Sequence, residues 1–135
     1  MNTVRVFGED KDIEEFKEFV KDKDLPFSFQ KIEPMPDELK NTRSPRLGER
    51  DKVLTDKYGA DNWYDWSIIN WGVKWDNSEV QFDQEDSGSI QYNFDTPWGP
   101  PEGIYNILND KFPDLSISWF YDEPGMQVAG YLPSY

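Results

Sequence analysis

Two stretches of helical periodicity, one in each half of the chain, lie between short segments in which apolar and polar residues alternate. An apolar residue recurs every three or four positions over residues 12–22 and again from Ile104 to Phe112, which predicts two amphipathic helices. A periodicity of two is typical of half-buried strands. The segments that follow it are residues 4–7, 27–32, 79–83, 90–94, 115–121 and 126–131.

This order of elements predicts one α+β domain that spans residues 1–135. A strand, a helix and a strand are followed by a hairpin, and then by a helix and two strands. Such an order favours a mainly antiparallel sheet with both helices on one face. No apolar run approaches the roughly 18 residues that a membrane span requires, and the first residues lack the apolar run of a signal peptide. We therefore expect a cytoplasmic protein.

Tryptophan is concentrated in the middle of the chain. Four of the six Trp residues lie within residues 62–75, where Tyr64, Ile68, Trp71 and Trp75 have the spacing of one helical face. Exposed aromatics of this kind can form a stacking platform for bases or sugars. Buried Trp side chains can equally supply much of a small core. Because the neighbouring charge is acidic, we expect a helical, Trp-rich insertion that packs in the core.

The absence of histidine and cysteine removes whole classes of chemistry. The chain has neither residue type. Without them there is no Ser-His-Asp triad, no thiolate nucleophile, no disulfide and no typical zinc site. The remaining options are carboxylate, Lys, Tyr or Ser chemistry. We therefore expect a protein that is not an enzyme and that carries no cofactor.

The charge of the chain is strongly asymmetric. Asp and Glu number 27 against 14 Lys and Arg, which gives a formal net charge of -13. Residues 1–74 hold 13 basic and 16 acidic residues, whereas residues 75–135 hold 11 acidic residues and only one basic residue, Lys111. Such a region attracts a basic partner and repels nucleic acid and anionic membranes.

The acids after Lys74 have no counter-charge nearby in the sequence, and two interpretations follow. They can be a solvated surface that keeps the protein soluble. Alternatively, carboxylates presented along a hairpin can imitate the phosphates that supply most non-specific affinity for DNA-binding proteins. The second interpretation assigns six partner-binding residues: Asp76, Glu79, Asp83, Glu85, Asp86 and Asp95.

Two other functions remain open. A carboxylate-based hydrolase would use Asp95, Asp122 and Glu123 beside Trp98, if the loops that carry them converge. The same acids also stand in Asp-Thr-Pro and Asp-Glu-Pro-Gly sequences that are typical of turns.

The other alternative is an oligomerising or scaffolding domain without catalysis. It would expose aromatic residues at an interface, as binding hot spots do. The candidates are Trp63, Trp66 and Tyr135.

Five short blocks resemble a known family in their sequence and order. They are Asn2-Thr3-Val4 before a Gly turn, Phe29-Gln30-Lys31-Ile32-Glu33-Pro34-Met35-Pro36, Asn70-Trp71-Gly72-Val73-Lys74-Trp75-Asp76, Phe94-Asp95-Thr96-Pro97-Trp98-Gly99-Pro100-Pro101 and Tyr121-Asp122-Glu123-Pro124-Gly125-Met126. These blocks are similar to those of the YubB ferredoxin-like domain family, which occurs in phages, plasmids and other mobile elements.

The resemblance implies a ferredoxin-like α+β fold and a mobile-element origin, but no mechanism. Family members usually begin with a Trp-Cys-Glu-Asn type segment, whereas this chain begins at Asn2 and has no Cys. Together with the acidity, the resemblance suggests a small inhibitor of a host nucleic-acid-binding defence complex, of the anti-CRISPR or anti-restriction type. Its partner would be the basic surface of that complex in the host cytoplasm, with no direct binding to nucleic acid or membrane.

Overall fold

Strands and helices follow one another in the computed structural model in nearly the order that the periodicities predict. The structure describes residues 1–42, 51–84 and 87–133. The strands are β1 (Asn2–Phe7), β2 (Gln81–Asp83), β3 (Ser89–Phe94), β4 (Ser116–Glu123) and β5 (Val128–Tyr131). The helices are α1 (Asp10–Val20), α2 (Phe29–Ile32), α3 (Asp37–Lys40), α4 (Lys52–Tyr58), α5 (Trp63–Asn70) and α6 (Glu102–Lys111), and a 3₁₀ turn (Pro124–Met126) precedes β5.

The strands form one antiparallel sheet in the order β2-β3-β1-β4-β5. The units β1-α1-β2 and β3-α6-β4 interleave, so that β3 lies between β1 and β2 while β4 lies on the other side of β1. This is the split βαβ arrangement of a ferredoxin-like fold, to which β5 adds a fifth strand. The predicted α+β class is therefore confirmed.

The core lies between the sheet and the helices. Val4 in the central strand is in register with Tyr92 in β3 and Trp119 in β4, and all three side chains are buried. Phe16 of α1 packs on Tyr92 with ring centroids 6.1 Å apart, and Tyr105 of α6 packs on Trp119 at 5.9 Å. Both long helices therefore cover the same face, as predicted. Alternate strand residues leave the opposite face open to solvent.

The segment 27–32 was predicted to be a strand, and that prediction is wrong. Residues Phe29–Ile32 form the one-turn helix α2, whose N-cap Ser28 accepts a hydrogen bond from the backbone of Lys31. The buried residues Phe27, Phe29 and Ile32 suit a strand or a helical turn equally, because so short an apolar pattern does not distinguish the two. Contacts from a distant part of the chain decide the outcome.

Helices α2 to α5 stand between α1 and β2, and the Trp-rich helix predicted within residues 62–75 is α5. The predicted buried face is correct only in part: Trp71 is buried, but Ile68 and Trp75 are exposed. Trp66 and Ser67 point into the core instead. Gly103 explains how α6 approaches α5 so closely: a Cβ atom at this position would overlap the carbonyl oxygen of Asn70. Across the described part of the chain, no helix has both the length and the apolar character needed to cross a membrane.

Candidate partner-binding surface

Asp76 is the first of the six predicted partner-binding acids, and its carboxylate is directed into the fold. It accepts hydrogen bonds from the Ser28 hydroxyl at 2.9 Å and from the backbone N–H groups of Phe29 at 2.7 Å, Gln30 at 3.1 Å and Asn77 at 2.7 Å. The side chain thereby satisfies the first N–H groups of α2, which have no partner within the helix. Asp76 is therefore a structural residue that fixes the insertion against the sheet.

Glu79, Asp83 and Asp95 are exposed and lie along the hairpin that β2 and β3 form. In the β2–β3 pair, Gln81 lies opposite Asn93 and Asp83 lies opposite Gln91. Asp83 and Gln81 therefore share the face of the sheet that carries Gln91 and Asn93, because alternate residues of a strand share a face. Glu79 and Asp95 lie just beyond the two strands, and both line one surface cavity with Gln81 and Asn93. We call Glu79, Asp83 and Asp95 the acidic edge.

The turn of the hairpin adds acids from the beginning of the chain. The backbone N–H of Gly8 donates to the carbonyl oxygen of Gly88 at 3.1 Å, so the exposed Glu9 and Asp10 begin α1 beside this turn. Sequence reasoning missed both, because they belong to the half of the chain that is nearly neutral. The predicted tip residues, Glu85 and Asp86, lie outside the described residues.

The tertiary structure also brings two cations to this hairpin, although both are hydrogen-bonded to glutamine side chains. Lys17 of α1 donates to the Gln84 side chain at 3.0 Å and lies 5.6 Å from the Phe82 ring centroid. Arg5 of β1 donates to Gln91, the cross-strand neighbour of Asp83, at 3.0 Å. Among the ion pairs found between described residues, none involves Glu79 or Asp83.

The hydrolase candidates converge only in part. The terminal ammonium of Met1 lies 3.7 Å from an Asp95 carboxylate oxygen and 3.3 Å from a Glu123 carboxylate oxygen. The Asp95 side chain is 90% exposed, whereas that of Glu123 is 13% exposed. The cavity that Asp95 lines includes Glu79 but neither Asp122 nor Glu123. Over the described ranges, no group of three or more acidic residues is arranged to hold a metal ion.

The tryptophans proposed for an oligomer interface are not the exposed ones. Trp66 is buried and packs edge-on against Trp71 at 5.4 Å, so its assignment to an interface is wrong. Trp63 is half-buried, and Tyr135 lies outside the described residues. The exposed tryptophans are instead Trp75 and Trp98, with 52% and 56% of their surface accessible. Lys74 Nζ lies over both rings, 4.2 Å and 4.0 Å from the two centroids.

A buried polar cluster explains two of the sequence blocks. The Asn2 side chain donates to the Thr96 hydroxyl at 2.8 Å and accepts a hydrogen bond from the Trp119 indole at 3.0 Å. Thr96 in turn donates to the carbonyl oxygen of Gly99 at 2.6 Å. The cluster ties β1 to the loop after β3 and to β4. Asn2 and the Asp95-Thr96-Pro97-Trp98-Gly99 segment are therefore held together by packing and hydrogen bonds.

Comparison with known proteins supports the fold and leaves the function open. Residues 70–134 match a family model described as the ferredoxin-like domain in Api92-like protein. The crystal structure of a protein api92 from Yersinia pseudotuberculosis is similar at 25% sequence identity and a TM-score of 0.48, over 54% of this chain and 26% of that chain. This chain thus spans about a quarter of that protein's length. The comparison with curated proteins found no match. The family model and the strand order agree that this is a ferredoxin-like domain.

Proposed function

We propose that this protein is a non-catalytic binding module that inhibits a nucleic-acid-binding complex by occupying its basic surface. The observation that carries the proposal is the acidic edge, in which Glu79, Asp83 and Asp95 lie exposed along one hairpin. The resemblance to the YubB family extends the proposal to a mobile-element protein. Its target would then be a host defence complex of the anti-CRISPR or anti-restriction type in the host cytoplasm.

The spacing of the edge suits this role. Residues that share one face of a strand repeat at about 6.7 Å, so Gln81 and Asp83 stand one repeat apart, with Glu79 and Asp95 in the cavity beside Gln81. A groove that binds a nucleic-acid backbone is lined with Lys and Arg that contact negative charges at short, regular intervals. Glu9 and Asp10 continue the negative charge past the turn, because Gly8 is hydrogen-bonded to Gly88.

The electrostatics favour a protein partner over a nucleic acid. With 11 acidic residues and one basic residue, the segment 75–135 repels phosphates and attracts Lys and Arg. Association steered by such charges weakens as ionic strength rises. Asp76 is left out of the proposed surface, since its carboxylate is engaged in four hydrogen bonds inside the protein.

A matched pair of triple variants tests the proposal. One variant carries Glu79→Gln, Asp83→Asn and Asp95→Asn in the acidic edge. The control carries Glu18→Gln, Asp110→Asn and Asp114→Asn, which remove the same number of negative charges from exposed positions. These positions lie in α1, in α6 and in the loop between α6 and β4. Immobilised protein captures nucleic-acid-binding proteins from lysate of a bacterial host, and bound material is released with salt or with competing duplex DNA.

We expect competing DNA to release the captured complex. The amount captured by the acidic-edge variant should be at least about tenfold lower than for the wild type, because charge pairs with the partner are lost. The control variant should capture as much as the wild type. Equal loss in both variants would show that net charge, and not the acidic edge, drives binding. Capture that the acidic-edge variant retains in full would overturn the proposal.

An oligomerising role is a second candidate, on a different observation. Ile68 and Ile69 are exposed at 37% and 64%, and both line a cavity between α4 and α5. Apolar residues grouped on a surface mark interaction sites. Sedimentation velocity over a range of concentrations tests this candidate: self-association that Ile69→Lys abolishes would support it, and a monomer at every concentration would exclude it.

A further inference from the structure

Trp75 and Trp98 form an exposed aromatic pair that neither the acidic edge nor the core explains. They stand in different loops, one before β2 and one after β3, and yet the ammonium of Lys74 lies about equally close to both rings. More than half of each side chain is accessible to solvent. Large aromatic side chains usually bury their surface in a protein of this size. The pair therefore calls for an explanation beyond folding.

The backbone holds Trp98 in a strained position. Its φ angle is 68°, in the left-handed region that a bulky residue rarely adopts. The Gly99 N–H donates to the carbonyl oxygen of Pro97 at 2.9 Å, so Trp98 is the central residue of a tight γ-turn with positive φ, a rare and strained turn. The buried Asn2–Thr96–Gly99 hydrogen bonds maintain this turn. Strain of this kind is typical of positions whose conformation serves binding.

Trp75 is also held from both sides. The carbonyl oxygen of Lys74 accepts a hydrogen bond from the Ser67 hydroxyl at 2.9 Å, and Asp76 is anchored by its hydrogen bonds to the start of α2. Only the Trp75 side chain extends into solvent. The backbone that carries each ring is thus held by hydrogen bonds, and preorganised groups bind with less loss of entropy.

From this arrangement we infer that Trp75 and Trp98 form a binding site for an arginine side chain of a partner protein, in which Lys74 is the resident cation. Aromatic faces attract cations, most strongly for Trp. Guanidinium stacks on aromatic rings and is more weakly hydrated than an ammonium. A partner arginine can therefore displace the Lys74 head group, which moves into water on its flexible stem.

The net negative charge of residues 75–135 selects the class of ligand. A nucleobase also stacks on Trp, but its phosphate would meet the excess of acids in residues 75–135. A cationic side chain meets a favourable potential instead. The inference deepens the proposed function, on which it rests for the basic character of the partner. The site itself is tested with a small probe, so its failure and the failure of the acidic edge are distinguishable.

The test removes the Lys74 ammonium by substitution and supplies a free arginine analogue in its place. N-acetyl-argininamide is titrated into the wild type and into Lys74→Ala while the indole N–H signals of Trp75 and Trp98 are followed by NMR. N-acetyl-citrullinamide, which has nearly the same shape and no charge, is the ligand control. Lys111→Ala is the protein control, because Lys111 Nζ lies over the single ring of Phe19 at 4.8 Å. Lys74→Met is a second variant that retains the aliphatic stem.

We expect saturable shifts of both indole signals in Lys74→Ala, with a dissociation constant on the order of tens of millimolar, as for a small cation held by two aromatic rings. Lys74→Met should bind the same probe, and the wild type should bind it at least threefold more weakly than Lys74→Ala. Trp98→Ala, combined with Lys74→Ala, should abolish the shift of Trp75. Lys111→Ala should behave as the wild type.

Two results would overturn the inference. One is the absence of a saturable shift in both Lys74 variants while their spectra show a folded protein. The other is an equal response to the arginine and citrulline probes, which would mean that the rings provide apolar surface only. In either case the role of Lys74 would be structural, joining the two loops through its contacts with Trp75 and Trp98.

Discussion

The Asp76 carboxylate accepts a hydrogen bond from the backbone N–H of Phe29 at 2.7 Å, across 47 positions of the chain. The same carboxylate accepts hydrogen bonds from the Ser28 hydroxyl and from the backbone N–H of Gln30. One acidic side chain near the start of the acidic half therefore determines where α2 begins and how the insertion is attached to the sheet.

Replacement of Asp76 by Ala should destabilise the protein. The change leaves the partly buried N–H groups of Phe29 and Gln30 without a partner, which should lower the free energy of unfolding by about 2–4 kcal/mol. Asp83→Ala, at an exposed position of the acidic edge, is the control and should change it by less than about 0.5 kcal/mol. Urea denaturation measures both values. Equal stabilities of the two variants would contradict the structural role of Asp76.

The contact between α5 and α6 depends on Gly103. Gly103→Ala places a Cβ atom against the Asn70 carbonyl group, and because both partners are backbone the helices must separate. We expect a loss of about 2–4 kcal/mol in the free energy of unfolding. Gly125→Ala is the matched control, because a Cβ atom at Gly125 has no neighbour within 4 Å. Thermal or chemical denaturation of the two variants tests the difference, and similar stabilities would argue against a tight helix contact.

The pair Tyr58 and Glu38 should make a small part of the stability depend on pH. The hydrogen bond from the Tyr58 hydroxyl, at 2.8 Å, and then the charge of Lys57 lower the pKa of Glu38 below its ordinary value of 4.5. Because the folded state binds this proton less readily than the unfolded state, the contribution is present above the ordinary pKa and is lost as pH falls through the lowered one.

Tyr58→Phe removes the hydrogen bond and tests this dependence. The variant should have a lower urea midpoint than the wild type near neutral pH, and the difference should narrow when the pH falls below the ordinary pKa of Glu38. Tyr131→Phe, at an exposed position of β5, is the control and should show no such dependence. A difference between Tyr58→Phe and the wild type that is constant with pH would show that the pair does not couple to the Glu38 proton.

Local patterns were sufficient for the two long helices and for the strands that are present. The apolar periodicity predicted over residues 12–22 is confirmed by the buried Ile13, Phe16 and Val20 of α1, and the predicted hairpin is the β2–β3 pair. Such predictions succeed because an amphipathic helix or strand has one face to bury, and the spacing of its apolar residues shows which face it is. The start of α1 was placed two residues late, since its N-cap, Glu9, makes no side-chain capping hydrogen bond.

The Trp-rich segment shows where such patterns fail. Residues Trp63–Asn70 are apolar on several sides, so their spacing admits more than one buried face. The actual face is selected by the contact of Trp66 with Trp71 and by the hydrogen bond from the Trp71 indole to the carbonyl oxygen of Glu33 at 2.9 Å. Neither contact can be inferred from the composition of the segment.

The sequence by itself determined the α+β class, the acidity of the second half and the exclusion of histidine and cysteine chemistry, because these depend on composition and short-range periodicity. Only the tertiary structure decided that Asp76 is a structural residue while Glu79, Asp83 and Asp95 are exposed along one hairpin. The tertiary structure alone places the rings of Trp75 and Trp98 close to the same Lys74 ammonium. The physical reason is that hydrogen bonds and ring contacts act between groups that are close in space, whatever their separation along the chain.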